Sequence, residues 1–130
     1  INSYLHEQIQ FEKHIKIDDI SGIQSLAMAS SIMIADFGSM GSEYSLRFGK
    51  RVIYLKTPQK YEGGPDLIFR DKFADAICEV EDLQSMIYSV LEKGPLSKSD
   101  LESMRTQVLS FVGKSDEKAA ECIHKICSEK

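Results

Sequence analysis

The sequence predicts an α/β fold: a parallel sheet flanked by helices, ending in a helical C-terminal tail. Three observations predict it. Short, nearly continuous apolar runs recur at residues 31–35, 51–55 and 76–80, the pattern of strands buried on both faces of a parallel sheet. Between the first two runs, and for the stretch after the third, the chain reads as helix, with apolar residues at helical spacing after the third. Glycine, proline and serine punctuate the joints. Such alternation argues crossover helices and strands that all run one way.

Each element has its own warrant. Residues 2–10 read as a short helix, with Leu5 and Ile9 four apart, and residues 11–17 as a brief strand with Ile15 and Ile17 alternating with His14 and Lys16. Asp18, Asp19, Ser21 and Gly22 break the chain. Ile20, Ile23, Leu26 and Ala27 then trace a helix face ending near Ser30. The first apolar run, residues 31–35, leads into a loop of glycines and serines, after which Glu43 to Phe48 continue as a helix. Gly49-Lys50 ends it, and residues 51–55 form the second strand. Residues 56–70, with Pro58, Gly63, Gly64 and Pro65, are expected to be irregular. Residues 76–80 form the third strand. Leu83, Met86, Ile87, Val90 and Leu91 mark the next helix, stopped by Gly94 and Pro95. Ser97-Lys-Ser-Asp100 has the form of a capping box with Asp in place of Glu. Leu101, Met104, Val108 and Phe111 or Val112 carry the following helix, closed by Gly113. Asp116 caps a last helix expected to turn Ala119, Ala120, Ile123, Ile126 and Cys127 inward.

Composition bounds the function. The 130 residues suit one domain. With 42% hydrophobic and 28% charged residues, a disordered tail, a fibre and a coiled-coil rod are excluded. No apolar run approaches the roughly 18 residues of a membrane span. The net charge of −4 argues against a general nucleic-acid binder. Residues 1–65 carry seven basic and seven acidic side chains, so the whole deficit falls in residues 66–130. The neutral half is the better place for an anionic ligand. Ile1 stands where a start methionine would, and a piece of a longer chain is expected. Cys78, Cys122 and Cys127 cannot all pair and form no C-x-x-C, which reads as a reducing compartment. A metal site from Cys122, His124 and Cys127 is disfavoured because residues five apart point to different helix faces.

The stretch from Asp36 to Glu43 carries the chemistry. A buried strand ends there, and the chain turns through Gly38, Ser39, Gly41 and Ser42 into a helix. In an open α/β sheet, ligands bind beyond the C-terminal ends of the strands. The first turn of a helix offers unpaired N–H groups and about half a positive charge. Gly38, Ser39, Met40 and Gly41 could therefore cradle a phosphate through backbone N–H, with Ser39 and Ser42 adding hydroxyls. Glu43 could accept from ribose or glycerol hydroxyls. The competing reading is a tight turn of small residues before a helix, since the spacing is neither G-x-G-x-x-G nor a Walker loop. Lys50 and Arg51 are candidates for steering an anion or for a solvated turn. Lys56, Thr57, Gln59, Lys60 and Tyr61 form a loop that could reach a ligand rim. Asp66, Asp71 and Asp75 fit no calcium-loop spacing.

Residues 32–55, Ile-Met-Ile-Ala-Asp-Phe-Gly-Ser-Met-Gly-Ser-Glu-Tyr-Ser-Leu-Arg-Phe-Gly-Lys-Arg-Val-Ile-Tyr-Leu, resemble the CDP-glycerol glycerophosphotransferase family of teichoic-acid and capsule polymerases. The shared pattern is a strand ending in Asp, an aromatic residue, a Ser/Gly pair, an acidic-aromatic helix start and a Val-Ile-Tyr-like strand. The resemblance covers residues 27–55 closely. More distantly the segment is similar to the nucleotide-binding half of GT-B glycosyltransferases and of UDP-sugar 2-epimerases. It implies a Rossmann-like domain, the C-terminal half of a two-domain GT-B enzyme, acting in bacterial cell-wall biogenesis. That enzyme would move glycerol phosphate, or a related polyol phosphate or sugar, from CDP-glycerol or another nucleotide-diphospho donor to a polymer acceptor held by the N-terminal half. Gly38 and Ser39 would meet the diphosphate, Glu43 would take the acidic helix position, and Asp36 would support the loop. No cofactor or metal is implied. The expected setting is the cytoplasm, or the inner face of the cell membrane for the parent enzyme. Gly38 stands where Ser is common, Gly41 where the family has a bulkier residue, and Arg51 where Pro is usual. The family's catalytic His-Gly and His-Pro motifs do not occur in this chain, so His6, His14 and His124 receive no role and this domain alone should be inactive. Two other readings stand beside this one: a nucleotide-sugar glycosyltransferase domain, and a non-catalytic α/β interaction module, which would want an acidic cluster at its strand ends.

Overall fold

The computed structural model describes His14 and residues 22–36, 38–58 and 65–128. It shows an α/β protein with a three-stranded parallel sheet, β1 (Ile32–Ala35), β2 (Arg51–Leu55) and β3 (Ala76–Cys78), in the order β1-β2-β3. Sequence neighbours are therefore sheet neighbours, joined by α2 (Ser39–Phe48) and α3 (Pro65–Phe73). A short α1 (Ile23–Ala29) precedes the sheet. After β3 come a 3₁₀ turn (Val80–Asp82), α4 (Leu83–Glu92), α5 (Lys98–Val108) and α6 (Ser115–Ser128). The helix expected at residues 2–10 lies outside the described residues. So does the strand expected at residues 11–17, except His14, which sits exposed in a turn.

The register places Ile34 beside Ile53, Ile53 beside Ala76, and Tyr54 beside both Ala35 and Ile77. Side chains alternate between faces along each strand. One face thus presents Met33, Ala35, Val52 and Tyr54, which pack with Ala27 of α1, Tyr44 and Phe48 of α2, and Ala74. The other presents Ile32, Ile53, Leu55, Ala76 and Cys78, which pack with Leu83, Met86, Ile87 and Val90 of α4. The result is a three-layer sandwich with β2 at its centre: Val52, Ile53 and Tyr54 are almost completely buried. Each such side chain contributes roughly 1.5–3 kcal/mol of burial.

Five expectations change. β1 is not covered on both faces: Ile34, at the edge of the sheet, is 43% exposed, because α4 packs over β2 and β3. Residues 65–73 are helical rather than irregular; Pro65 suits a first helical turn because its missing N–H would be an orphan there. The third strand stops at Cys78, and Val80 opens the 3₁₀ turn. The helix carrying Leu101 and Met104 ends at Val108, so Phe111 and Val112 lie outside it. They are exposed, and Phe111 has a φ of 57°. Leu91, assigned to the apolar face of α4, is 44% exposed.

Local signals account for the ends that agree. Gly49 closes α2 at φ 64°, donating its N–H to Ser45 O, a left-handed cap that glycine adopts without strain. Ser97 caps α5: its Oγ accepts the Asp100 N–H at 3.1 Å and donates to Asp100 Oδ2 at 2.7 Å. α5 packs against α2, where the Arg105 guanidinium donates twice to Leu46 O, at 2.9 and 2.7 Å.

Candidate functional site

The parallel direction of the strands puts the link from β1 to α2 at the C-terminal edge of the sheet. Asp36 closes β1 and is exposed there. Gly38 follows at φ 101° and ψ 173°, as the N-cap of α2. That φ disfavours any residue with a β-carbon, and glycine supplies no capping side chain. Gly38 gives α2 no side-chain cap, and no side chain among the described residues accepts from the N–H groups of Ser39, Met40 or Gly41, at the positive end of a ten-residue helix. Ser39 and Met40 are exposed on this turn.

Gly41 stands differently. It is buried, and a β-carbon there would collide with Tyr54 Oη and lie 2.6 Å from Tyr54 Cζ. Its small size serves the packing of α2 onto β2, a contact thirteen residues away in the chain. Nothing in the spacing of the loop signals it. The hydroxyls are also engaged within the helix. Ser39 Oγ donates to Glu43 Oε1 at 2.9 Å, and Ser42 Oγ donates to Ser39 O at 2.7 Å. Glu43 is exposed and lies one turn from the amides, bound to Ser39. Met40 and Glu43 also line a small cleft of about 40 Å³ against Ile23 and Ala27 of α1, too small for a nucleotide.

Lys56 stands on the same rim, one residue past β2. Its Nζ lies 3.1 Å from Glu79 Oε1, just past β3. The strand ends thus carry Asp36, Lys56 and Glu79 in sheet order, a cation between two acids rather than the acidic cluster an interaction module of that kind would want. Of the loop assigned to a possible ligand rim, Gln59, Lys60 and Tyr61 lie outside the described residues.

Lys50 and Arg51 sit at the opposite, N-terminal rim of the sheet, away from the loop that precedes α2. Lys50 Nζ donates to Ala27 O at 2.8 Å, Met28 O at 2.6 Å and Ser30 O at 2.6 Å. All three ammonium protons are spent on the C-terminal end of α1. Arg51 Nη1 lies 2.5 Å from Asp75 Oδ1, and its Nε donates to Gly94 O at 2.5 Å. Asp75 Oδ2 in turn accepts the Val52 N–H at 3.1 Å. Both are structural, although each is also a cation near a hollow of about 440 Å³ lined by Ser30, Lys50, Val90 and Gly94.

Among the described residues no group of three or more His, Cys, Asp or Glu comes together to hold a metal ion. Cys122 and Cys127 are exposed thiols on α6, and Cys78 is buried in the core. Asp71 pairs with its neighbour Arg70. Among the described residues no helix is long and apolar enough to cross a membrane. Comparison with protein-family models, curated proteins and solved structures gives no match.

Proposed function

We propose that this chain is a nucleotide-binding domain that holds the diphosphate of a donor at the first turn of α2. The donor is CDP-glycerol or a related nucleotide-diphospho compound. The observation that carries the reading is the start of α2, entered through Gly38 with no side-chain cap from that residue, at the C-terminal edge of a parallel sheet. The Ser39 and Met40 amides bind the phosphate oxygens. The Ser39 hydroxyl leaves Glu43 to join them, and the Glu43 carboxylate accepts a hydroxyl of the sugar or polyol. Gly41 supports the site by letting α2 approach β2, and Ser42 holds the first turn through Ser39 O.

The resemblance of residues 27–55 to glycerophosphotransferases supports the wider reading. The domain is the donor half of a two-domain GT-B transferase acting on a teichoic-acid or capsule polymer, at the inner face of the membrane. In such a reaction the helix terminus stabilises charge that builds on the departing nucleotide. This chain supplies binding, and the catalytic base belongs to another part of the enzyme.

Calorimetric titration with CDP-glycerol, CDP, UDP and inorganic phosphate tests the assignment. The expected result is binding of the cytidine compounds in the micromolar-to-millimolar range, and weaker binding of phosphate alone. Ser39→Ala keeps the amides and should weaken binding by no more than about tenfold, the value of one hydrogen bond. Ser39→Asp places a carboxylate on the positive helix end and should abolish it. Absence of heat from every compound at millimolar concentration, or full binding by Ser39→Asp, overturns the proposal.

A further inference from the structure

We draw no further inference here: the strongest candidate, the exposed apolar stripe of Ala119, Cys122, Ile123 and Ile126 along α6, carries nothing because nothing in the structure shows what covers it.

Discussion

Gly41 and Tyr54 decide how closely α2 lies on the sheet. The absent β-carbon of Gly41 leaves room for a phenol ring that is fully buried. An alanine would meet both Oη and Cζ of that ring, and a buried tyrosine on a central strand has little space to yield. Gly41→Ala is therefore expected to cost about 1–3 kcal/mol of stability in urea unfolding. In a Tyr54→Phe background the clash with Oη disappears while the 2.6 Å contact with Cζ stays. The same substitution should then cost measurably less, and a double-mutant cycle reads the difference. Equal costs in both backgrounds would show that the hydroxyl is not what excludes the methyl group. At this scale a loop of glycines and serines leading into a helix was legible in the sequence, and the separate tasks of its glycines were not. Two glycines three residues apart look alike on the page, yet Gly38 answers to a backbone angle and Gly41 to a side chain that only the folded sheet brings near.

Among the elements, α1 is held by little. It has seven residues and buries only Ala27. Its C-terminal carbonyls are satisfied by Lys50, whose ammonium bonds Ala27, Met28 and Ser30 together. Lys50→Met keeps much of the stem and removes the charge. It should destabilise the fold by about 1–3 kcal/mol, the worth of charge-assisted hydrogen bonds, and speed amide exchange within residues 23–30 well before the sheet opens. Unchanged exchange there would sink this account of the helix. The elements legible in the sequence are those with local signals: the β-rich run Arg51–Leu55, the glycine that ends α2, and Ser97 with Asp100 at the start of α5. α3 was hidden because Pro58, Gly63, Gly64 and Pro65 read as a turn, although proline at a first helical position is compatible with a helix. The inward face expected of α6 fails for another reason. Periodicity reports that a helix has an apolar side, and says nothing of whether its own chain covers it.

For the molecule as a whole, the alternation of apolar runs and helical patterns was enough to give a parallel sheet, and chain order alone put the start of α2 at its C-terminal edge. The positions of Lys50 and Arg51 at the other rim follow from the same rule, since both precede β2. The partner each one takes was not legible, because Asp75 and Gly94 arrive from elements far along the chain. Stability also has a pH dependence at this scale. Burial pushes the Cys78 thiol above its ordinary value of 9.0, and the carboxylates of Asp82 and Glu79 push it the same way. A group whose folded pKa is raised adds stability below its unfolded pKa and loses it as pH climbs through the folded one. Cys78 should therefore support the fold fully below about pH 9 and progressively less above it, and Cys78→Ala should flatten that alkaline decline in thermal melts. In native protein near neutral pH, a disulfide reagent should count the two exposed thiols, Cys122 and Cys127, promptly and Cys78 only on unfolding; three prompt thiols would contradict the buried placement.

The Arg51 clasp also bears on how the protein is made. β2 is the central strand, but the groups that anchor its first residue, Asp75 and Gly94 O, follow it by 24 and 43 residues. A nascent chain that has just released β2 from the ribosome holds an unpaired guanidinium and a strand with one finished side. The clasp on the first residue of β2 can close only after synthesis has run past Gly94, so this anchor of the first half of the molecule is supplied by the second.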